Sequence, residues 1–332
     1  PRVPNAVRCQ LRYTPALQSI IARVHKRQVY RFTMRLTQTL TVFLIFLLLA
    51  GCTALTPIAT TALAPQPSQT VQASQTPQPI AAATLTPFPA PTLTPTPAGC
   101  SETRGQVQRF ELPSTEIGKD LGLRVYTPPC YDPAAQAGYP VIYLLHGQSF
   151  NDDQWERLGV PDTADRLIAA GEVKPFLVVM PQEVYYLQDV PQSAFGRALI
   201  NEVLPWVEEN YAVCHATACR AIGGLSRGAS WAARVGFESW PLFGAIGLHS
   251  LPSASLGSIR YNWLPKIPQD QRPRLYLDIG VKDTYYKYAL EFENFLNEVR
   301  LPHQWHLNPG GHDEPYWSAH VEEYLRWYAA GW

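Results

Sequence analysis

A run of five residues past the middle of the chain, Gly224-Leu225-Ser226-Arg227-Gly228, narrows the folds open to it more than any other stretch. A β-type run precedes it and a helical pattern follows, so the serine falls on a sharp strand-to-helix turn that presents its hydroxyl. Such a turn needs residues without side chains two before and two after the serine, where a Cβ would collide with neighbouring backbone. Gly224 and Gly228 meet that demand.

The surrounding pattern agrees with a sheet whose strands feed helices. Residues 106–112 and 121–126 predict a hairpin, and 141–145 and 176–180 are short apolar runs of the kind buried in a parallel sheet. Helical spacing marks 163–170 and 194–209, the latter with Leu199, Val203 and Trp206 on one side. Strand 221–225 and helix 230–237 flank the serine. Strands 245–248 and 275–279, helix 285–299, strand 304–307 and a closing helix 316–328 complete the series. The expectation is an α/β fold with a mostly parallel central sheet, helices on both faces and an N-terminal β-hairpin, occupying 100–332 as one domain.

The net charge of zero averages two unlike regions. Eight of the 27 basic residues precede Cys52, and every acidic residue lies at Glu102 or later, which leaves 19 against 27 from Cys52 onward. That acidic balance argues against a nucleic-acid partner. Met34-Arg35, the apolar run 42–49 and Leu49-Ala50-Gly51-Cys52 read as a lipoprotein-type signal over 34–52, with Cys52 the lipidated residue. Residues 1–33 are basic without clear periodicity and are expected to be upstream translation, absent from the native protein. Residues 53–99 hold Thr, Pro, Ala and Gln with no charge and repeat Thr-Leu-Thr-Pro. They predict a disordered stalk that holds the domain away from a bacterial cell membrane, outside the cytoplasm.

In such an oxidising compartment the four domain cysteines predict disulfides, with three pairings open. Cys100 and Cys130 fall at the open end of the hairpin, and Cys214 and Cys219 face each other across a short loop, so those two bridges are expected. No Cys/His cluster has zinc spacing, and neither metal nor cofactor is expected.

A serine hydroxyl is a poor nucleophile until a base takes its proton, and the base needs a third group to orient it. In the order that goes with this turn, the acid and then the histidine follow the serine. His312 lies in Pro309-Gly310-Gly311-His312-Asp313, a glycine-rich loop after the last strand. Asp283 sits just past strand 275–279. Asp278 lies inside that strand and reads as structural, Asp313 is a weaker rival beside the histidine, and His249 precedes the acid. For the oxyanion, the backbone N–H of Arg227 and that of Gln148, in the loop His146-Gly147-Gln148-Ser149-Phe150, are the candidate donors. The Arg227 side chain reads as a surface or salt-bridging group.

Together Leu144-Leu145-His146-Gly147 with Trp155, the serine pentapeptide, Gly280-Val281-Lys282-Asp283 and Gly311-His312-Asp313 with Trp317 resemble the esterase-D-like family of α/β-hydrolases, which includes feruloyl esterases, enterochelin esterases, S-formylglutathione hydrolases and mycolyltransferases. The resemblance spans about the whole of 100–332 and departs where Arg227 replaces the family's frequent Met or His and Ala229 a glycine. It implies a small-molecule or carbohydrate ester as substrate and hydrolysis through an acyl-enzyme. Transfer of the acyl group to a sugar or lipid hydroxyl is the alternative, and a non-catalytic surface binding lipoprotein is the alternative of another class. Tyr185, Tyr186, Trp231, Tyr261 and Trp263 could line a carbohydrate site or simply pack. Oligomeric state is left open.

Overall fold

The computed structural model of the chain describes residues 100–332; the signal, Cys52, the stalk and residues 1–33 lie outside them. Its strands are β1 (Gln106–Leu112), β2 (Leu121–Thr127), β3 (Val141–Leu145), β4 (Leu177–Pro181), β5 (Arg220–Leu225), β6 (Ala245–His249), β7 (Arg274–Gly280) and β8 (Gln304–Asn308). They form one sheet in the order β1-β2-β4-β3-β5-β6-β7-β8. β1 with β2 and β2 with β4 are antiparallel; every other neighbouring pair is parallel. The fold is the α/β-hydrolase fold with the expected N-terminal hairpin.

The inner strands β3 to β6 are buried along their whole length because both faces of the sheet are covered, while the edge strands β1 and β8 are polar and partly exposed. Val141, Tyr143 and Leu145 of β3 point into one core, and Ile142 and Leu144 into the other. The first core is closed by α3 (Phe195–Ala198) with the π-turn Leu199–Val203 and α4 (Leu204–Asn210), by α5 (Arg227–Glu238) and by α6 (Tyr286–Glu298). The second is closed by α1 (Gln154–Arg157), α2 (Val160–Ala169) and α7 (Glu314–Ala329).

Four expectations need correction. The helix expected over 163–170 starts at Val160, directly after Gly159. The helix expected over 194–209 is interrupted by the π-turn, because Pro205 has no N–H to continue the ladder and a wider turn upstream absorbs the break. The helix expected over 230–237 starts at Arg227, directly after the serine. A string of short turns, Leu256–Ser258, Ile259–Trp263 and Leu264–Lys266, follows β6 where no element was expected. The Cys100–Cys130 and Cys214–Cys219 disulfides are both formed, with Cα separations of 5.8 and 5.9 Å.

Candidate active site

The C-terminal ends of β3, β5, β7 and β8 lie along one edge of the sheet, and the loops leaving them build the site. Ser226 is the hinge between β5 and α5, at φ 54° and ψ −122°. The turn is as tight as its glycines require: a Cβ on Gly224 would strike the backbone of Gly228, and one on Gly228 the carbonyl of Leu145 in β3. The Ser226 amide donates to the carbonyl of His249 at 2.9 Å, which ties the turn to the end of β6.

His312 arrives on the loop after β8 and Asp283 on the turn after β7. The two loops are stitched together by Val281 N–H to Asn308 O (2.8 Å) and Lys282 N–H to Gly310 O (2.9 Å). His312 Nε2 lies 2.8 Å from Ser226 Oγ, and its Nδ1 lies 2.8 Å from Asp283 Oδ2. The Asp283 side chain is fully buried while that of His312 is one-fifth exposed. Burial alone would push the Asp283 carboxyl up. The hydrogen bonds from His312, from the Tyr285 N–H and from the Ser250 hydroxyl outweigh it and hold the group below the usual carboxylate range. Tyr285 and Trp317 pack edge-on against the imidazole, with ring centroids 4.8 and 5.1 Å away. An ionised acid, an oriented imidazole and a hydroxyl in one line form the arrangement that removes a serine proton on attack.

The rival acids have other employment. Asp313 caps α7, accepting the Tyr316 N–H at 3.0 Å. Asp278 is buried and accepts from His249 Nδ1 and from the hydroxyls of Tyr316 and Tyr324, each at 2.7 Å. The Tyr328 hydroxyl lies 3.0 Å from His249 Nε2, so that histidine belongs to a polar network behind the turn and not to the reacting line.

Gln148, Ser226 and Arg227 border the same cleft, of about 400 Å³, with Asp189, Pro191 and Tyr285 across from them. The Gly147 N–H is spent on Gln154 Oε1 at 2.8 Å. Neither the Gln148 amide nor the Arg227 amide has a protein acceptor among the described residues, so both remain available to a developing oxyanion. The Arg227 side chain pairs with Glu183, in agreement with the salt-bridging reading. Of the five aromatic candidates none borders the cleft: Trp231 is core, Arg234 stacks on Trp263, Tyr186 is half-buried, and Tyr185 and Tyr261 are exposed. Tyr285, unremarked in the sequence, is the aromatic residue that does border it. A larger cavity of about 610 Å³ sits beside the two disulfides and Trp332, away from the triad.

The profile of the family described as "Putative esterase" matches residues 114–330. Among curated proteins, an endo-1,4-beta-xylanase/feruloyl esterase of Xylanibacter ruminicola is 28% identical over 189 residues, covering 54% of this chain and 25% of that protein. An esterase of Mycobacterium tuberculosis is 28% identical over 154 residues, covering 44% of this chain and 32% of that protein. The chain thus spans a quarter to a third of the length of these relatives. A solved ferulic acid esterase superposes with a TM-score of 0.60 at 24% identity, covering 69% of this chain and 99% of that one, a likeness of fold.

Proposed function

This chain belongs to the esterase family whose profile covers its domain, and on that premise we propose that it is a serine esterase working through Ser226, His312 and Asp283. The observation that carries the reading is the unbroken line from Ser226 Oγ through both nitrogens of His312 to Asp283, 2.8 Å at each joint. Ser226 attacks the ester carbonyl while His312 Nε2 takes its proton and Asp283 steadies the imidazolium. Gln148 and Arg227 amides receive the negative oxygen. Collapse expels the alcohol with the proton from His312, leaving an acyl-enzyme; water, deprotonated by the same imidazole, then releases the acid. The name of the Xylanibacter relative makes feruloyl esters the first acyl class to test.

A panel of p-nitrophenyl, feruloyl and acetyl-sugar esters assayed with the native chain and Ser226→Ala tests the mechanism. Loss of roughly three or more orders of magnitude in rate in the variant is expected. Turnover of no ester, or equal rates in both proteins, would reject it. A sugar hydroxyl in place of water would make the same acyl-enzyme an acyltransferase, and product analysis with acceptor sugars separates the two.

We further propose that the domain is exported and tethered, with Cys52 lipidated, 34–52 removed as the signal apart from that cysteine, and 53–99 as the stalk. The signal pattern and the two disulfides, which suit an oxidising compartment, support this. Radiolabelled palmitate should enter the native protein and not Cys52→Ala, and N-terminal analysis of the uncleaved Cys52→Ala precursor should find Met34 first and none of residues 1–33.

A further inference from the structure

Three segments that face the reacting atoms converge on one buried residue that the triad does not use, through its carboxylate on one side and its main-chain N–H on the other. Glu183 follows β4 and is 3% exposed. Its oxygens accept from Arg227 Nε and Nη2, both at 2.6 Å. Its own N–H donates to His146 Nε2 at 2.8 Å, which leaves Nδ1 to carry the imidazole proton and donate to Gly147 O at 2.7 Å. Burial holds His146 below the usual imidazole range, so the ring stays neutral and Nε2 stays an acceptor.

Each arm ends at one oxyanion donor. Gly147 O and the Gln148 N–H belong to the same peptide, and in a trans peptide they point in opposite directions, so fixing the carbonyl aims the amide. On the other arm Glu183 grips the guanidinium of Arg227, whose backbone amide is the second donor. The same guanidinium donates to Gln188 O, on the segment that continues into the cleft wall at Asp189 and Pro191.

We infer that the Glu183 carboxylate positions the oxyanion hole by holding the Arg227 amide in register with Ser226, while the Glu183 main-chain N–H sets the Gln148 amide through His146; this rests on the esterase reading above. A buried ion pair is often no better for stability than an apolar pair of similar volume. A bidentate Arg–carboxylate pair, however, fixes geometry in a way apolar contact does not. Transition-state stabilisation depends on donors that are already aimed.

The test uses the full chain with p-nitrophenyl acetate as substrate and phenylboronic acid as probe, since its adduct on serine carries a tetrahedral oxyanion. Glu183→Ala should lower kcat about tenfold or more and weaken boronate inhibition by a similar factor, with KM changed less than about threefold. Glu183→Gln, which keeps an acceptor, should fall between. Glu183→Ala with Arg227→Met removes the orphaned cation and should regain melting temperature without regaining kcat. Val203→Ala, a core truncation away from the cleft, should lower the melting temperature and leave kcat unchanged. Wild-type kcat and boronate affinity in Glu183→Ala, or full recovery of kcat in the double variant, would overturn the inference while leaving the esterase reading intact. Failure of the native chain to turn over the ester, or activity in Ser226→Ala, would sink that reading instead.

Discussion

Ser226 sits in a backbone conformation that costs a residue with a side chain on the order of 1–3 kcal/mol. The strain lifts Oγ clear of the sheet edge into line with His312. Ser226→Gly should therefore abolish turnover and raise stability by about 1 kcal/mol in denaturant unfolding, whereas Ser226→Ala should abolish turnover without that gain. Asp283 gives a pH signature. Its carboxyl is held below its ordinary value in the folded chain, so the unfolded chain binds more protons as the solution becomes acidic. The stabilisation is present above the ordinary carboxylate value and is lost as pH falls through the depressed one. Melting curves of native protein and Asp283→Asn should converge in acid and separate towards neutrality; a constant gap across that range would contradict the assignment. At this scale the meeting of Ser226, His312 and Asp283 was legible, because the serine turn fixes the order and strand ends in which its partners must appear. Glu183 was not. It lies in no motif, its only local signal is a place just past a strand, and its partners are 37 and 44 residues away.

The close fit of α7 against the sheet decides which residues β5 and β6 can carry. The Tyr328 hydroxyl enters the sheet at Gly223 and its register partner Gly247, and a Cβ on either would overlap it. Gly247→Ala should destabilise the fold by about 1–3 kcal/mol by overpacking, measured in denaturant, and Tyr328→Phe in the same chain should recover part of that loss. The alternating strands and helices were readable because strands buried on both faces stand out as short unbroken apolar runs and the helices between them keep a 3.6-residue period. The π-turn before α4 was not, although Pro205 inside the expected helix was a usable signal. The turns from Leu256 to Lys266 gave no periodicity to read, since each is shorter than the window in which a period shows.

At the scale of the whole molecule, two covalent ties among the described residues close loops of unequal length. Cys100 and Cys130 are 30 residues apart and Cys214 and Cys219 only 5. By loop-closure entropy, Cys100→Ser with Cys130→Ser should cost about 3–4 kcal/mol and the other pair about 2 kcal/mol. Equal losses in denaturant unfolding would show that local packing, and not chain closure, sets their worth. Both pairings followed from the hairpin and from sequence proximity, so this level was legible once the strands were. The proposed chemistry converges on one atom, Ser226 Oγ. The most direct test is rapid quenching of the full chain during turnover of p-nitrophenyl acetate, followed by peptide mass mapping. One acetyl group on the peptide holding Ser226, absent from Ser226→Ala, is the predicted result; turnover with no acylated serine, or with the acetyl group on another residue, would contradict it.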